Sequence, residues 1–228
     1  MDHHERHSGS SNFIQDLVIG LSDGLTVPFA LAAGISGAVH SNGLVITAGL
    51  AEIAAGSIAM GLGGYLAGQT AVEHYNAELK REYEEVERVP EIEKQEVKDI
   101  FATYGIKEST QHIIVEELSA NKDKWVDFMM KFEIGLEKPI ANRATVSALT
   151  IGLSYVAGGI VPLMPYFFTQ TPTEGLKFSA GVTVLCLFLF GYYKSSVTDQ
   201  NPVRGGLKMT AIGAIAAFAA FFIAKLIS

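Results

Sequence analysis

Residues 73–99 read EHYNAELKREYEEVERVPEIEKQEVKD, and the packing of charge into this stretch decides the architecture of the chain. It opens an island, residues 73–138, holding 17 of the 24 acidic residues and 10 of the 17 Lys and Arg. The island's balance is therefore −7, which equals the formal charge of the whole protein. Everything outside it is nearly neutral and strongly apolar. With 49% hydrophobic residues, 23 Gly and a mean hydropathy of +0.27, the chain departs from the soluble average. The pattern reads as an all-α integral membrane protein into which a charged helical domain has been inserted.

Five apolar runs are long enough to approach the roughly 20 residues that cross about 30 Å of hydrocarbon. They are residues 17–39, 44–71, 139–168, 176–193 and 205–227. The predicted organisation is a cytosolic tail over 1–16, two spans over 17–72, the Glu-rich domain over 73–138, and three spans over 139–228. Of the 17 basic residues, 15 fall on the side of the N-terminus and the island, and only Lys177 and Lys225 fall on the other. By the excess of Lys and Arg in cytoplasmic loops, the N-terminus and the island are expected in the cytosol. An odd number of spans without an internal repeat means that a two-fold pathway needs two chains. Gly20-xxx-Gly24 and Gly64-xxx-Gly68 have the small-residue spacing of close helix contacts and favour a homodimer.

No proline interrupts the second run until Pro90, so one helix is predicted to leave the membrane and continue roughly to Arg88. Pro90, Tyr104-Gly105 and Ser119-Ala120-Asn121 divide the rest of the island into further helices. The last of these carries Trp125, Phe128 and Phe132 beside Met129 and Met130, an amphipathic pattern that suits packing on the other helices or on a membrane surface.

Residues 1–11, with His3, His4 and His7, are too poor in apolar residues to form a core and read as a disordered tail. A terminal His cluster is usually only solvated; metal binding is the sharper alternative. Ala30-Leu31-Ala32 has a signal-peptidase spacing, but Asp23 and Pro28 interrupt the segment before it, and cleavage is not expected. The single Cys186 forms no intrachain disulfide and reads as a small buried hydrophobe.

Glu78, Glu82 and Glu85 fall on one helical face, and Glu93 and Glu96 repeat the i, i+3 spacing on the next helix. Like charges so spaced repel by about 0.2–0.5 kcal/mol per pair, with partial relief from Arg81 and Lys94. Bound cations remove the repulsion, and carboxylates on facing helices offer oxygen ligands to divalent metals. Met129, Met130 and Glu133 add a patch with soft sulfur. The bland alternative is a solvated acidic face over a methionine-containing core. No Glu-x-x-His occurs in the island, which argues against a ferritin-like di-iron centre.

Asp23 and Glu52 stand inside apolar runs, where an ionisable group costs about 2.5–3.5 kcal/mol on insertion scales and is a functional hypothesis by default. Gly24 and Pro28 can loosen the helix around Asp23 and free carbonyls toward a cavity. Met60, eight residues beyond Glu52, lies close to the same face. Carboxylate plus thioether suits a transition metal better than Mg²⁺ or Ca²⁺. Protonated structural acids and a packing methionine are the plain alternatives. There is no G-x-x-x-x-G-K-[ST] phosphate loop, catalytic triad or His-rich site, so a secondary carrier is favoured over a pump and no enzymatic activity is expected.

The motif GLSDGLTVP (20–28), the following FALAAGISGA (29–38), Ala51-Glu52 and the Glu-rich insert together resemble the vacuolar iron transporter family, over essentially the whole chain. The resemblance implies a homodimer with five spans per subunit in the vacuolar membrane. It also implies transport of Fe²⁺ from cytosol to vacuole in exchange for protons, with the insert as a cytosolic metal-binding domain. By position, Asp23, Glu52 and Met60 are similar to the family's translocation residues at the dimer interface. Glu82, Glu85, Glu93, Glu96, Met129, Met130 and Glu133 are similar to the ligands of its metal-binding domain. Expected partners are Fe²⁺, H⁺, the bilayer and a second copy, with no nucleic acid and no prosthetic group; Zn²⁺, Co²⁺ or Mn²⁺ are possible bound ions. A membrane-tethered metal sensor or buffer without transport is the other reading.

Overall fold

The computed structural model describes residues 8–227, with side chains described from 12 to 226. Every element among them is helical: α1 (Ser8–Ser36), α2 (Asn42–Arg88), α3 (Pro90–Thr103), α4 (Glu108–Ser119), α5 (Lys122–Phe132), α6 (Arg143–Leu163), a 3-10 turn (Met164–Phe167), α7 (Pro172–Val197) and α8 (Pro202–Ile227). Five helices are long and apolar enough to cross a membrane: α1, α2, α6 with its 3-10 turn, α7 and α8. The chain divides into two compact units, one made of residues up to Leu66 and from Ala144 onward, the other of Ala67–Arg143.

In the first unit α1 is the common partner. Its Ala32 joins Val45 and Ile53 of α2 and Leu163 and Tyr166 in one buried cluster. Leu25 joins Leu187 of α7 and Met209 of α8, with the half-buried Cys186 packed beside them, and Phe29 and Ala33 meet Ala217 of α8. Large apolar side chains such as Leu153, Leu185 and Phe218 point outward, as hydrocarbon-facing surfaces require.

The small residues on α1 act within the chain. A Cβ at Gly20 would strike the Ile151 carbonyl and the Ser154 side chain of α6, and one at Gly24 would lie 2.9 Å from Tyr155 Cα. A Cβ at Gly64 would lie 2.7 Å from the Ile151 side chain. These contacts bring α1 and α2 onto α6 within one chain, the close helix packing that the small-residue spacing predicts.

The second unit holds the later turns of α2 with α3, α4 and α5. Tyr75, Val86, Val97, Val115, Trp125, Val126, Met129 and Met130 form its core. As the sequence suggests, α2 is a single helix of 47 residues. It ends where Pro90 removes a donor and forces Val89 out of helical conformation, at φ −134 and ψ 49. The end of α3 is made by Gly105 at φ +73, with the Ile106 amide donating back to the Phe101 carbonyl at 3.3 Å. The Asn121 side chain caps α5 by accepting from the Lys124 amide at 3.1 Å.

Two boundaries differ from the expected ones. Helix α1 begins at Ser8, so the later part of the supposed tail is helical and Asp16 is only 4% exposed; His3, His4 and His7 lie outside the described residues. The third span begins at Arg143 and not at residue 139, because Pro139 and the left-handed Asn142 at φ 61 keep the preceding segment irregular.

Candidate metal centre

Helices α2 and α3 and the end of α5 bring Glu82, Glu93 and Glu133 together, with one carboxylate oxygen of each within 4.8 Å of the others. Glu82 is 1% exposed and Glu93 4%, whereas Glu133 is open to solvent. The local reasons are simple. Glu82 lies one turn before Val86 of the core, Glu93 one turn before Val97, and Glu133 follows α5 at its C-cap, where its amide donates to the Met129 carbonyl at 3.0 Å. Oε2 of Glu82 and Oε2 of Glu93 are buried with no hydrogen-bond partner among the described residues. An unpaired buried carboxylate oxygen is expensive unless a cation or a proton satisfies it.

The electrostatics agree. These residues lie beyond the apolar part of α2, which ends at Ala71. Burial, and then the carboxylates of Glu133, Glu85 and Glu96, push Glu82 up to about 7 against partial relief from Arg81. Burial, followed by Glu96, Glu82, Glu133 and Glu85, pushes Glu93 up to about 7 as well. Glu133, although exposed as a residue, is raised by partial desolvation of its carboxylate and by Glu96 and Glu85, against partial relief from Arg81. The five acids similar to the family's ligands are thus linked electrostatically, with Glu82, Glu93 and Glu133 converging and the half-buried Glu85 and Glu96 at the flank.

The remaining members sort themselves by partner. Arg81 reaches Glu78 at 2.6 Å and Glu85 at 3.5 Å, which leaves Glu78 paired. Lys94 turns to Glu116 of α4 at 3.1 Å, not to the acidic face it was expected to relieve, and its ammonium holds the Glu116 carboxyl below the usual range. Met129 and Met130, at 0% and 1% exposure, are core residues beside Trp125 and Val126. Three carboxylates with oxygens at this spacing, two of which also carry a buried oxygen without a hydrogen-bond partner among the described residues, have the chemistry of a site for a divalent cation.

In the membrane unit, Asp23 on α1 and Glu52 and Met60 on α2 are all half-buried. No basic residue lies near Glu52 in the apolar runs. Its partner is neutral: the Tyr155 hydroxyl of α6 donates to Glu52 Oε1, and Asp23 lies within electrostatic range of the same phenol. Tyr155 was missed in the sequence, although a phenol amid an apolar run needs an acceptor and the lone acids of the other spans are the natural ones.

The sequence itself matches a known family. The family model described as "VIT family" covers residues 14–225. "Vacuolar iron transporter 1" of Tulipa gesneriana is 50% identical over 98% of this chain and 91% of its own length. The Arabidopsis thaliana protein of the same name is 49% identical over 100% of this chain and 91% of its own. "Protein CCC1" of Saccharomyces cerevisiae is 41% identical over 94% and 69% respectively. Matched by the family model over nearly its whole length and half identical to plant vacuolar iron transporters, the chain belongs to the VIT family.

Proposed function

We propose that this protein is a secondary transporter of the vacuolar membrane that moves Fe²⁺ from the cytosol into the vacuole in exchange for protons. The observation that carries the reading is the convergence of Glu82, Glu93 and Glu133 with two buried, unpaired oxygens, in a chain whose spans also hold Asp23 and Glu52. The names of its relatives supply the metal and the organelle. In this reading the Ala67–Arg143 unit is a cytosolic metal-binding domain. Glu82, Glu93 and Glu133 hold the ion, Glu85 and Glu96 deepen the negative potential around it, and Met129 and Met130 tune the site from the core side.

The captured ion passes to a path between two copies of the chain, lined by Asp23, Glu52 and Met60. Metal and proton compete for the same carboxylate oxygens, so an acidic lumen protonates these acids as the metal leaves and drives the exchange. The concentration of basic residues beside the N-terminus and the island supports a cytosolic Glu-rich unit. Zn²⁺, Co²⁺ and Mn²⁺ have ligand demands close enough to Fe²⁺ to compete at an oxygen-rich site.

The test is Fe²⁺ flux into liposomes holding the full chain and an internal pH dye. The parent, Asp23→Ala, Glu52→Ala and a deletion of residues 73–138 are compared. Loss of both metal and proton movement in the two acid variants is expected. Metal uptake without opposing proton movement removes the antiport, full flux in both acid variants removes Asp23 and Glu52 from the path, and absence of flux in the parent with metal binding retained leaves a membrane-tethered metal buffer.

A further inference from the structure

Tyr155 stands where three helices of the membrane unit meet. Its hydroxyl on α6 donates to Oε1 of Glu52 on α2. One turn after Glu52, Gly56 leaves the space the ring occupies, since a Cβ there would lie 2.5 Å from the phenol oxygen and 2.6 Å from Cζ. From α1, Gly24, next to Asp23, packs directly on the Tyr155 backbone. The side chain is 2% exposed. Glu52 Oε2, by contrast, is buried and has no hydrogen-bond partner among the described residues.

The asymmetry of that carboxylate is informative. An ionised carboxylate offers about four lone-pair sites, and a purely structural acid in hydrocarbon is expected to fill several of them or to pair with Lys or Arg. Here a single neutral donor engages one oxygen. A phenol fixes the rotamer of Glu52 without cancelling its charge, whereas an ammonium or guanidinium would quench the attraction for a cation.

We infer that Tyr155 is a positioning residue of the transport path, holding Oε1 of Glu52 so that Oε2 is presented to the passing divalent cation. This rests on the assignment of Glu52 to the path proposed above. Tyr155 acts through Glu52 and need not touch the metal.

The experiment measures initial Fe²⁺ flux against concentration and pH in liposomes containing the full chain, for the parent, Tyr155→Phe, Tyr155→His and Glu52→Gln. Tyr155→Phe keeps the ring and its packing, so its thermal transition in detergent should match the parent's. Its half-saturating Fe²⁺ concentration should rise about tenfold, the consequence of losing one hydrogen bond to a charged group, with a displaced pH profile and a smaller effect on maximal rate. Tyr155→His restores a donor and should recover part of the loss. Parental half-saturation and pH profile in Tyr155→Phe, alongside an impaired Glu52→Gln, would reduce Tyr155 to packing and overturn the proposal. Parental flux in Glu52→Gln removes Glu52 from the path and takes both assignments with it. If Tyr155→Phe loses its thermal transition, Tyr155→His decides on the same readout: a rise of tenfold or more overturns the role, and a smaller one supports it.

Discussion

Glu82 on α2 and Glu93 on α3 hold carboxylate oxygens within 4.8 Å of each other while remaining 1% and 4% exposed. Two like charges so placed conflict twice, with desolvation and with each other, and both carboxyls are accordingly raised to about 7. Near neutrality the pair holds on to protons that ordinary glutamates would have lost. Any divalent cation that enters must displace them.

The first prediction concerns stability against pH. Glu82 and Glu93 titrate at about 7 in the folded chain against an ordinary value of 4.5, so the folded state binds more protons between these limits. Their contribution to stability is fully present below about 4.5 and is lost as pH rises through about 7. Thermal unfolding of the full chain without metal should therefore show the transition of the Ala67–Arg143 unit falling between pH 5 and 8. Saturating Co²⁺ should flatten that fall. A transition that rises over this interval would mean the two acids are not coupled as described.

Metal binding should show the complementary dependence. Because the ion replaces protons on Glu82 and Glu93, affinity for Co²⁺ or Zn²⁺ should weaken as pH drops from 8 to 6, by up to about tenfold per unit for each proton displaced. Calorimetry in buffers of different ionisation enthalpy reads the released protons directly. Replacing Glu82, Glu85, Glu93 and Glu96 by Gln should lower the stoichiometry while leaving the helical signal and the pH 7 melting temperature intact or higher, since repulsion is removed. Unchanged binding would return this face to a solvated role.

Much of the fold was legible because its signals are local. The absence of proline before Pro90 carries α2 through 47 residues, and Pro90, Gly105 and Asn121 stop or start helices by removing a donor, admitting a positive φ or capping an amide. What escaped was set by tertiary contact. Ser8 to Asp16 is polar by composition, yet Asp16 is buried, and residues 139–142 are apolar enough to count as span but are held irregular by Pro139 and Asn142. In the acidic unit, spacing put glutamates on a face but did not say which would meet. That depended on the crossing of α2 with α3, on α5 delivering Glu133 from its last turn, and on Lys94 leaving for Glu116. The partner of Glu52 comes from another span 103 residues away.

Met129 and Met130 separate a ligand role from a packing role. Both are buried against Trp125 and Val126, so Met129→Ala should destabilise the unit by about 2–5 kcal/mol through the cavity it leaves. Met129→Leu conserves volume and should cost less than about 1.5 kcal/mol. If Met129→Leu melts like the parent and binds Co²⁺ as tightly, the sulfur contributes only packing. A selective loss of binding in that variant, with the melting transition preserved, assigns the thioether to the ion.

Gly24 offers the test that separates the two units. A side chain there meets the backbone of Tyr155, which no rotamer change can move aside, so α1 and α6 must part. Overpacking of this kind costs about 1–3 kcal/mol. Gly24→Ala should lower the melting temperature of the membrane unit and reduce Fe²⁺ flux, because the displacement reaches Tyr155 and through it Glu52. Co²⁺ binding at Glu82, Glu93 and Glu133 should keep its stoichiometry, since those residues belong to the other unit. Parental flux with a parental melt would mean that the α1–α6 contact tolerates a methyl group and that the phenol is not held from this side.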